Sequence, residues 1–226
     1  MKNSCANTFR RAVLMLLPLP VLAGAGCSTA ARGQVPAFAG PSSISATQGK
    51  QTAVLAGGCF WGVDAVFKHV KGVESVVSGY SGGDAGTAEY ETVGTGSTGH
   101  AESVKITYDP SQVRFSELLR IFFSVATDPT EVNRQGPDVG PQYRSVIFYT
   151  SDEQKQVAQA YIQQLDKAGV FSRPIVTQIV PFKAFYPAEA YHQNFLERHP
   201  NYPYIVFNDL PKLRALKKEF PGFYRK

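Results

Sequence analysis

The chain predicts an α+β fold, a two-layer sandwich in which a mixed sheet carries packed helices and a C-terminal extension follows. Two observations predict it. Apolar runs alternate between strand and helix periods in the order strand, helix, strand, strand, helix, strand. Residues 51–226, 176 in number, show no internal repeat and no second linker, and are enough for one domain with a sizeable core. The β-α-β-β-α-β order is that of a split βαβ, ferredoxin-like core.

Each element has its own signal. Val54-Leu55-Ala56 is a short apolar strand, and Val63, Val66, Phe67 and Val70 form a helical stripe closed by Gly72 as C-cap. Val73–Tyr80 is the next strand. Ser103–Tyr108 follows, with Val104, Ile106 and Tyr108 alternating. Leu118, Leu119, Phe122 and Phe123 place a helix over Phe115–Val125, and Arg144–Tyr149 is a strand. Ser151 with Gln154 three residues on is a capping box, opening a helix that runs to Gly169. Ile175–Val180 reads as strand, and Ala188 to about His199 as helix until Pro200.

The first residues are a targeting segment rather than fold. Lys2, Arg10 and Arg11 precede the apolar run Ala12–Leu22, which is shorter than the roughly 20 residues of a spanning helix, and Ala23-Gly24-Ala25-Gly26 leads to Cys27. Residues 1–26 therefore read as a signal peptide. Cys27 resembles the lipidated first residue of a bacterial lipoprotein, with ordinary cleavage after Ala25 as the alternative. Lipidation makes the protein an exported, periplasmic, membrane-anchored one, and Ser28 after it suits an outer-membrane lipoprotein. Residues 27–50, rich in Ala, Ser, Gly, Thr and Pro, read as a flexible tether, and 51–226 as the catalytic domain. Removing residues 1–26 lowers the net charge from +5 to +2, which gives nucleic-acid binding no support. Lys212, Arg214, Lys217, Lys218, Arg225 and Lys226 read as a solvated basic helix end. Cys5 leaves with the signal, so an anchored Cys27 makes Cys59 the lone thiol. In an exported protein that points to chemistry more than to stapling.

Gly57-Gly58-Cys59-Phe60-Trp61-Gly62 places that thiol at a helix N-terminus. Unpaired N–H groups and the helix dipole there are expected to lower its pKa. The alternative is a buried, inert cysteine. Phe60 and Trp61 can wall an apolar pocket beside the sulfur. Glu102 shares strand parity with Val104, Ile106 and Tyr108, which turns its carboxyl toward the apolar face. Burial there would raise its pKa and let it donate a proton; the alternative is a solvated Glu at a frayed strand entry. Tyr90 and Tyr143 are loop hydroxyls able to donate to an acceptor oxygen. Gly94-Thr95-Gly96-Ser97-Thr98-Gly99 fits a dinucleotide pattern but precedes a strand where a helix is needed. His69, His100, His192 and His199 have no metal-ligand spacing with Cys59.

Five segments in order resemble the peptide methionine sulfoxide reductases of the A type. They are Gly58-Cys59-Phe60-Trp61-Gly62; Gly99-His100-Ala101-Glu102; Asn133-Arg134-Gln135-Gly136; Asp138-Val139-Gly140 with Gln142-Tyr143-Arg144-Ser145; and Ala188-Glu189 with Tyr191-His192-Gln193. The resemblance spans Val54 to about Asn208 and implies an oxidoreductase acting on the S epimer of methionine sulfoxide, free or in proteins, without metal or bound cofactor. It implies Cys59 as nucleophile passing through a sulfenic acid and Glu102 as proton donor. Tyr90 and Tyr143 would bind the sulfoxide oxygen, Phe60 and Trp61 would hold the methyl group, and Asp138 would help order the site. Many relatives carry resolving cysteines near the C-terminus, and residues 207–226 have none. A single-cysteine cycle then needs an external thiol, thioredoxin-like, glutaredoxin-like or small. The expected protein is a monomer without nucleic acid that repairs oxidised envelope proteins. Rival readings are a Cys–His acyl-transfer enzyme using Cys59 with His100 or His192, and a lipoprotein that only binds partners.

Overall fold

The computed structural model describes residues 35–41 and 49–226. The signal peptide, Cys5, Cys27 and most of the tether lie outside the described residues. Chain order is β1 (Gln51–Gly57), α1 (Phe60–Lys68), β2 (Val73–Ser81), α2 (Tyr90–Gly94), β3 (Ala101–Tyr108) and α3 (Phe115–Ile121). Then come β4 (Arg134–Gln135), β5 (Asp138–Val139), β6 (Ser145–Tyr149), α4 (Asp152–Lys167), β7 (Gln178–Pro181), β8 (Tyr186–Pro187), α5 (Phe195–Arg198) and α6 (Leu210–Glu219).

The main sheet runs β7-β6-β1-β3-β2-β8, and β4 pairs with β5 as a separate hairpin. Within its inner four strands, β3 lies antiparallel between β1 and β2, and β1 lies antiparallel between β3 and β6. Each parallel pair, β1/β2 and β3/β6, is thus split by an antiparallel strand, the expected split βαβ arrangement. Leu55, Val104, Ile106 and Ile147 face one continuous core with Val63, Val66 and Phe67 of α1, Leu118 and Leu119 of α3, and Tyr161 and Leu165 of α4. Side chains of opposite parity on the same strands, Val54, Ala56, Val146 and Phe148, pack on the reverse face under Val180, Phe182 and Phe185. The period of two makes both faces of the central strands apolar.

Several details differ from the sequence reading. The Ser151 hydroxyl accepts from the Gln154 N–H at 3.2 Å, but the Gln154 side chain accepts from Thr150 N–H, not from Ser151. α1 ends at His69 rather than Gly72. The predicted Ile175–Val180 strand forms only from Gln178. Ala188–His199 is no continuous helix: Asn194 adopts the left-handed conformation (φ 55°) between a 3₁₀ turn, Ala190–His192, and the single turn of α5. The reason is side-chain competition for the backbone. Gln193 accepts from Ser78 N–H at 3.0 Å and donates to Ser78 and Ala188 carbonyls at 2.9 Å, fastening the segment to β2.

Part of the stretch read as a flexible tether is fixed. Val35 is 3 % exposed in the main core. Arg120 Nε donates to its carbonyl at 2.9 Å, Tyr161 Oη to Pro36 O at 2.5 Å, and Gln164 binds Ala37 O and Ala39 N–H at 2.8 Å each. The polar spacing of 28–50 hid this, because one valine and a run of backbone groups do the docking.

Candidate active site

Cys59 is the N-cap of α1 and 8 % exposed. Gly58 before it has φ 97°, and a Cβ there would lie 2.6 Å from Gln135 Cβ, so the turn into the helix requires glycine. Gln135 is itself clamped to Asp128 by two hydrogen bonds, of 2.9 and 2.7 Å, which sets the β4–β5 hairpin against the cysteine turn.

The first amides of α1 are divided between two acids. Phe60 N–H donates to Glu102 Oε2 at 3.0 Å, while Trp61 N–H bonds the Cys59 sulfur. The expected lowering of the Cys59 pKa is not found. Burial pushes the thiol well above its ordinary value, Glu102 and Asp209 add to the rise, and Trp61 N–H and Lys212 oppose it. The helix terminus is present, but desolvation of a thiolate outweighs one amide. Glu102 is 4 % exposed on β3, on the same face as Val104, Ile106 and Tyr108 as its parity predicted. Burial raises its pKa to about 8 against the Phe60 N–H bond, with nearby Asp138 contributing to the rise.

Tyr90 opens α2, and its N–H is held by Glu189 Oε1 at 2.9 Å. Tyr143 ends a 3₁₀ turn, Pro141–Tyr143, which Arg144 ties to the residues before β3 through Pro141, His100 and Gly99 carbonyls at 2.8, 3.0 and 2.9 Å. Burial first, then Glu102, raises both hydroxyls, Tyr90 to about 12. Both remain donors at neutral pH. Both also respond to Cys59, so α2, which replaces the loop expected at Tyr90, and the 3₁₀ turn of Tyr143 bring the hydroxyls to the thiol and the acid.

Phe60 is 1 % exposed and packs on Tyr80 and His192 at 5.8 and 5.1 Å between ring centres, so its ring forms the rear wall. Trp61 is partly exposed. It stacks on Phe195 at 3.7 Å, meets Tyr202 and Tyr204 edge-on, and donates its indole N–H to His192 Nδ1 at 3.1 Å. Asp138 accepts a short hydrogen bond from Tyr204, which joins the hairpin to the C-terminal extension. Burial raises the Asp138 pKa against this bond and Lys212.

The histidines have other partners. His100 Nδ1 accepts from Gly83 N–H at 3.2 Å and its Nε2 faces Asp84 O at 3.0 Å, while His192 Nδ1 is taken by Trp61. Among the described residues no hydrogen bond joins either ring to Cys59, and the buried His192 Nε2 lies 3.9 Å from Glu189. Glu189 and His192 hold Tyr80, Tyr90 and Trp61. Tyr204, Asp209 and Lys212 were missed by sequence reasoning: the stripe Leu210, Leu213, Leu216 and Phe220 announces a helix but not which polar residues beside it turn inward, and Lys212 is not the solvated basic residue expected.

A family model described as peptide methionine sulfoxide reductase matches residues 51–222. The chain is 63% identical over 179 residues to peptide methionine sulfoxide reductase MsrA 2 of Mesorhizobium japonicum, covering 79% of this chain and 92% of that one. It is 49% identical over 176 residues to MsrA of Thermus thermophilus, covering 78% and 98%. Among solved structures it is similar to Mxr1 of Saccharomyces cerevisiae in reduced form, with TM-score 0.60 and 34% identity, covering 68% of this chain and 87% of that one. Methionine sulfoxide reductase A of Corynebacterium diphtheriae gives TM-score 0.58 and 34% identity, covering 68% and 76%. With the five segments converging on one buried thiol and one buried acid, the chain belongs to the peptide methionine sulfoxide reductase family, A type, and is an oxidoreductase acting on a sulfur group.

Proposed function

We propose that this chain reduces the S epimer of methionine sulfoxide, free or in proteins, through a sulfenic acid on Cys59. The observation that carries the reading is Glu102, a buried carboxyl on β3 that accepts from the first amide of the thiol's helix at 3.0 Å and whose pKa, raised to about 8 by burial, keeps it mostly protonated at pH 7. A sulfoxide is a poor electrophile until its oxygen is protonated or strongly hydrogen-bonded. Glu102 gives that proton, and Tyr90 and Tyr143 donate to the same oxygen. Phe60 and Trp61 hold the methyl group, and Asp138, held by Tyr204, orders the pocket.

At rest both Cys59 and Glu102 are neutral, which suits a desolvated site. The thiolate forms only as the polarised sulfoxide sulfur is brought beside it. Sγ bonds to the sulfoxide sulfur as the Glu102 proton passes to oxygen. Breakdown of the adduct frees the methionine thioether and leaves the oxygen on Sγ, while the proton lost by the thiol restores Glu102. Two electrons move from cysteine to methionine sulfur. One external thiol then displaces water to form a mixed disulfide, and a second returns Cys59 to the thiol. That reductant is thioredoxin-like, glutaredoxin-like or a small thiol.

The same reading makes the protein an exported monomer that repairs oxidised envelope proteins, with residues 1–26 its signal and Cys27 its lipid anchor. Residues 28–34 then join the anchor to Val35, a packed residue of the domain. The test of the chemistry is to expose the protein to a sulfoxide peptide and dimedone without reductant and to map the label. The adduct is expected on Cys59; methionine formation with an unlabelled, unoxidised Cys59 would contradict the reading.

A further inference from the structure

Gly62, the last residue of the cysteine motif, is the third residue of α1 and is pressed against two charged side chains. A Cβ there would lie 2.1 Å from Asp209 Oδ1 and 2.8 Å from Lys212 Nζ. The charges reach this turn from the π-type turn Ile205–Asp209 and from α6. Asp209 is 0 % exposed. One of its oxygens meets the Lys212 ammonium at 3.3 Å, and Oδ2 has no hydrogen-bond partner among the described residues. Burying such a carboxylate is costly, and an apolar pair of the same size would serve packing as well or better. Lys212 reaches inward from the first turn of α6, while Lys217 and Lys218 in its last turn are exposed.

The pair packs against the helical turn that carries the thiol: Cys59 caps α1, its sulfur takes the Trp61 N–H, and Gly62, which the pair touches, comes next. Groups facing Cys59 from the surrounding elements are Glu102 on β3, Tyr90 on α2, Tyr143 in its 3₁₀ turn, Tyr204 with Asp138, and the Asp209–Lys212 pair. Glu102 and Asp209 oppose a thiolate, and Lys212 favours it. We propose that Lys212, held against the first turn of α1 by Asp209, is a positioning residue that supplies the positive charge against which the Cys59 thiolate forms when sulfoxide binds. The inference rests on the reading of Cys59 as nucleophile. It also gives the motif glycine a reason: any side chain at position 62 would displace the cation.

The test uses the full chain with Lys212→Met, with Asp209→Asn alone, with the neutral pair Asp209→Asn and Lys212→Met, and with Lys212→Arg. The double variant removes both charges and leaves no unpaired carboxylate to disturb folding. Cys59 alkylation by iodoacetamide is followed against pH, and single-turnover methionine formation against sulfoxide-peptide concentration. For Lys212→Met against the unaltered chain, and for the double variant against Asp209→Asn alone, the alkylation profile is expected to move about one pH unit alkaline, the scale of losing one nearby opposite charge, because Asp209 itself opposes the thiolate. In the same two comparisons single-turnover rates at pH 7 should fall about tenfold at an unchanged half-saturating concentration, and Lys212→Arg should restore both. Unchanged profiles and rates in folded variants overturn the proposal. So does a raised half-saturating concentration with an unchanged rate. An unaltered chain that forms no methionine would instead overturn the catalytic reading, while the alkylation profiles still decide the role of Lys212.

Discussion

Glu102 and Cys59 are two acids desolvated together, and their energetics are opposite in use. In the proposed reaction the Glu102 proton is the working one, so methionine formation in a single turnover should decline as pH rises through about 8. Glu102→Gln keeps the shape and loses the proton. It should slow that step by about 10²–10⁴-fold, the range for a general acid, measured by quenched-flow methionine yield. The same substitution has a predictable sign in stability. Glu102 is raised from 4.5 to about 8 on folding, so the stability linked to its proton is fully present below about 4.5 and lost as pH rises through about 8. The Gln variant should therefore melt above the unaltered chain at pH 8.5, with the gap closing toward pH 4.5, as thermal scans at both pH values would report. Strand parity was enough to find Glu102, since alternation fixes the face of every residue from 102 to 108. The pKa of Cys59 was not legible. Sequence locates the start of a helix, but the burial that governs the thiol comes from chain segments far away, among them Glu102 and Asp209.

Among the elements, strands and helices with a strong apolar period were found close to their observed bounds: α1, β2 and α4 begin where their stripes and caps place them. The failures share a cause. Where side chains bond the backbone, as Gln193 does to β2, or where backbone carbonyls do the docking, as in Val35–Pro41, hydrophobic period carries little signal. That N-terminal arm should contribute measurably to stability. Deleting residues up to 41 removes a buried valine, worth about 1.5–3 kcal/mol, and strands the Tyr161 and Arg120 donors. A chain starting at residue 42 should melt below one starting at residue 28, with the split βαβ sheet retained by circular dichroism. Equal melting temperatures would mean that the arm does not hold the domain.

At the scale of the whole molecule, one sheet brings β1, β3 and the first turn of α1 to a common end, and the hairpin and the C-terminal extension close over it. The five motifs scattered through the sequence meet there, which made the family legible before the fold was known. The place of the extension was not: Leu210, Leu213, Leu216 and Phe220 repeat at helical spacing there, but that stripe does not say that Asp209 and Lys212 turn toward Gly62. Cys59 is the free cysteine among the described residues, and the proposed cycle uses no second one. Cys27→Ser is expected to leave steady-state turnover with dithiothreitol unchanged; a large loss would make Cys27 a resolving thiol. The most direct measurement is a stoichiometric reaction: one equivalent of protein, no reductant, with S and R methionine sulfoxide peptides supplied separately. The account predicts about one methionine per Cys59 from the S peptide and none from the R peptide, with Cys59 ending as sulfenic acid. No methionine from either peptide, in a folded protein whose Cys59 thiol is free, would contradict it.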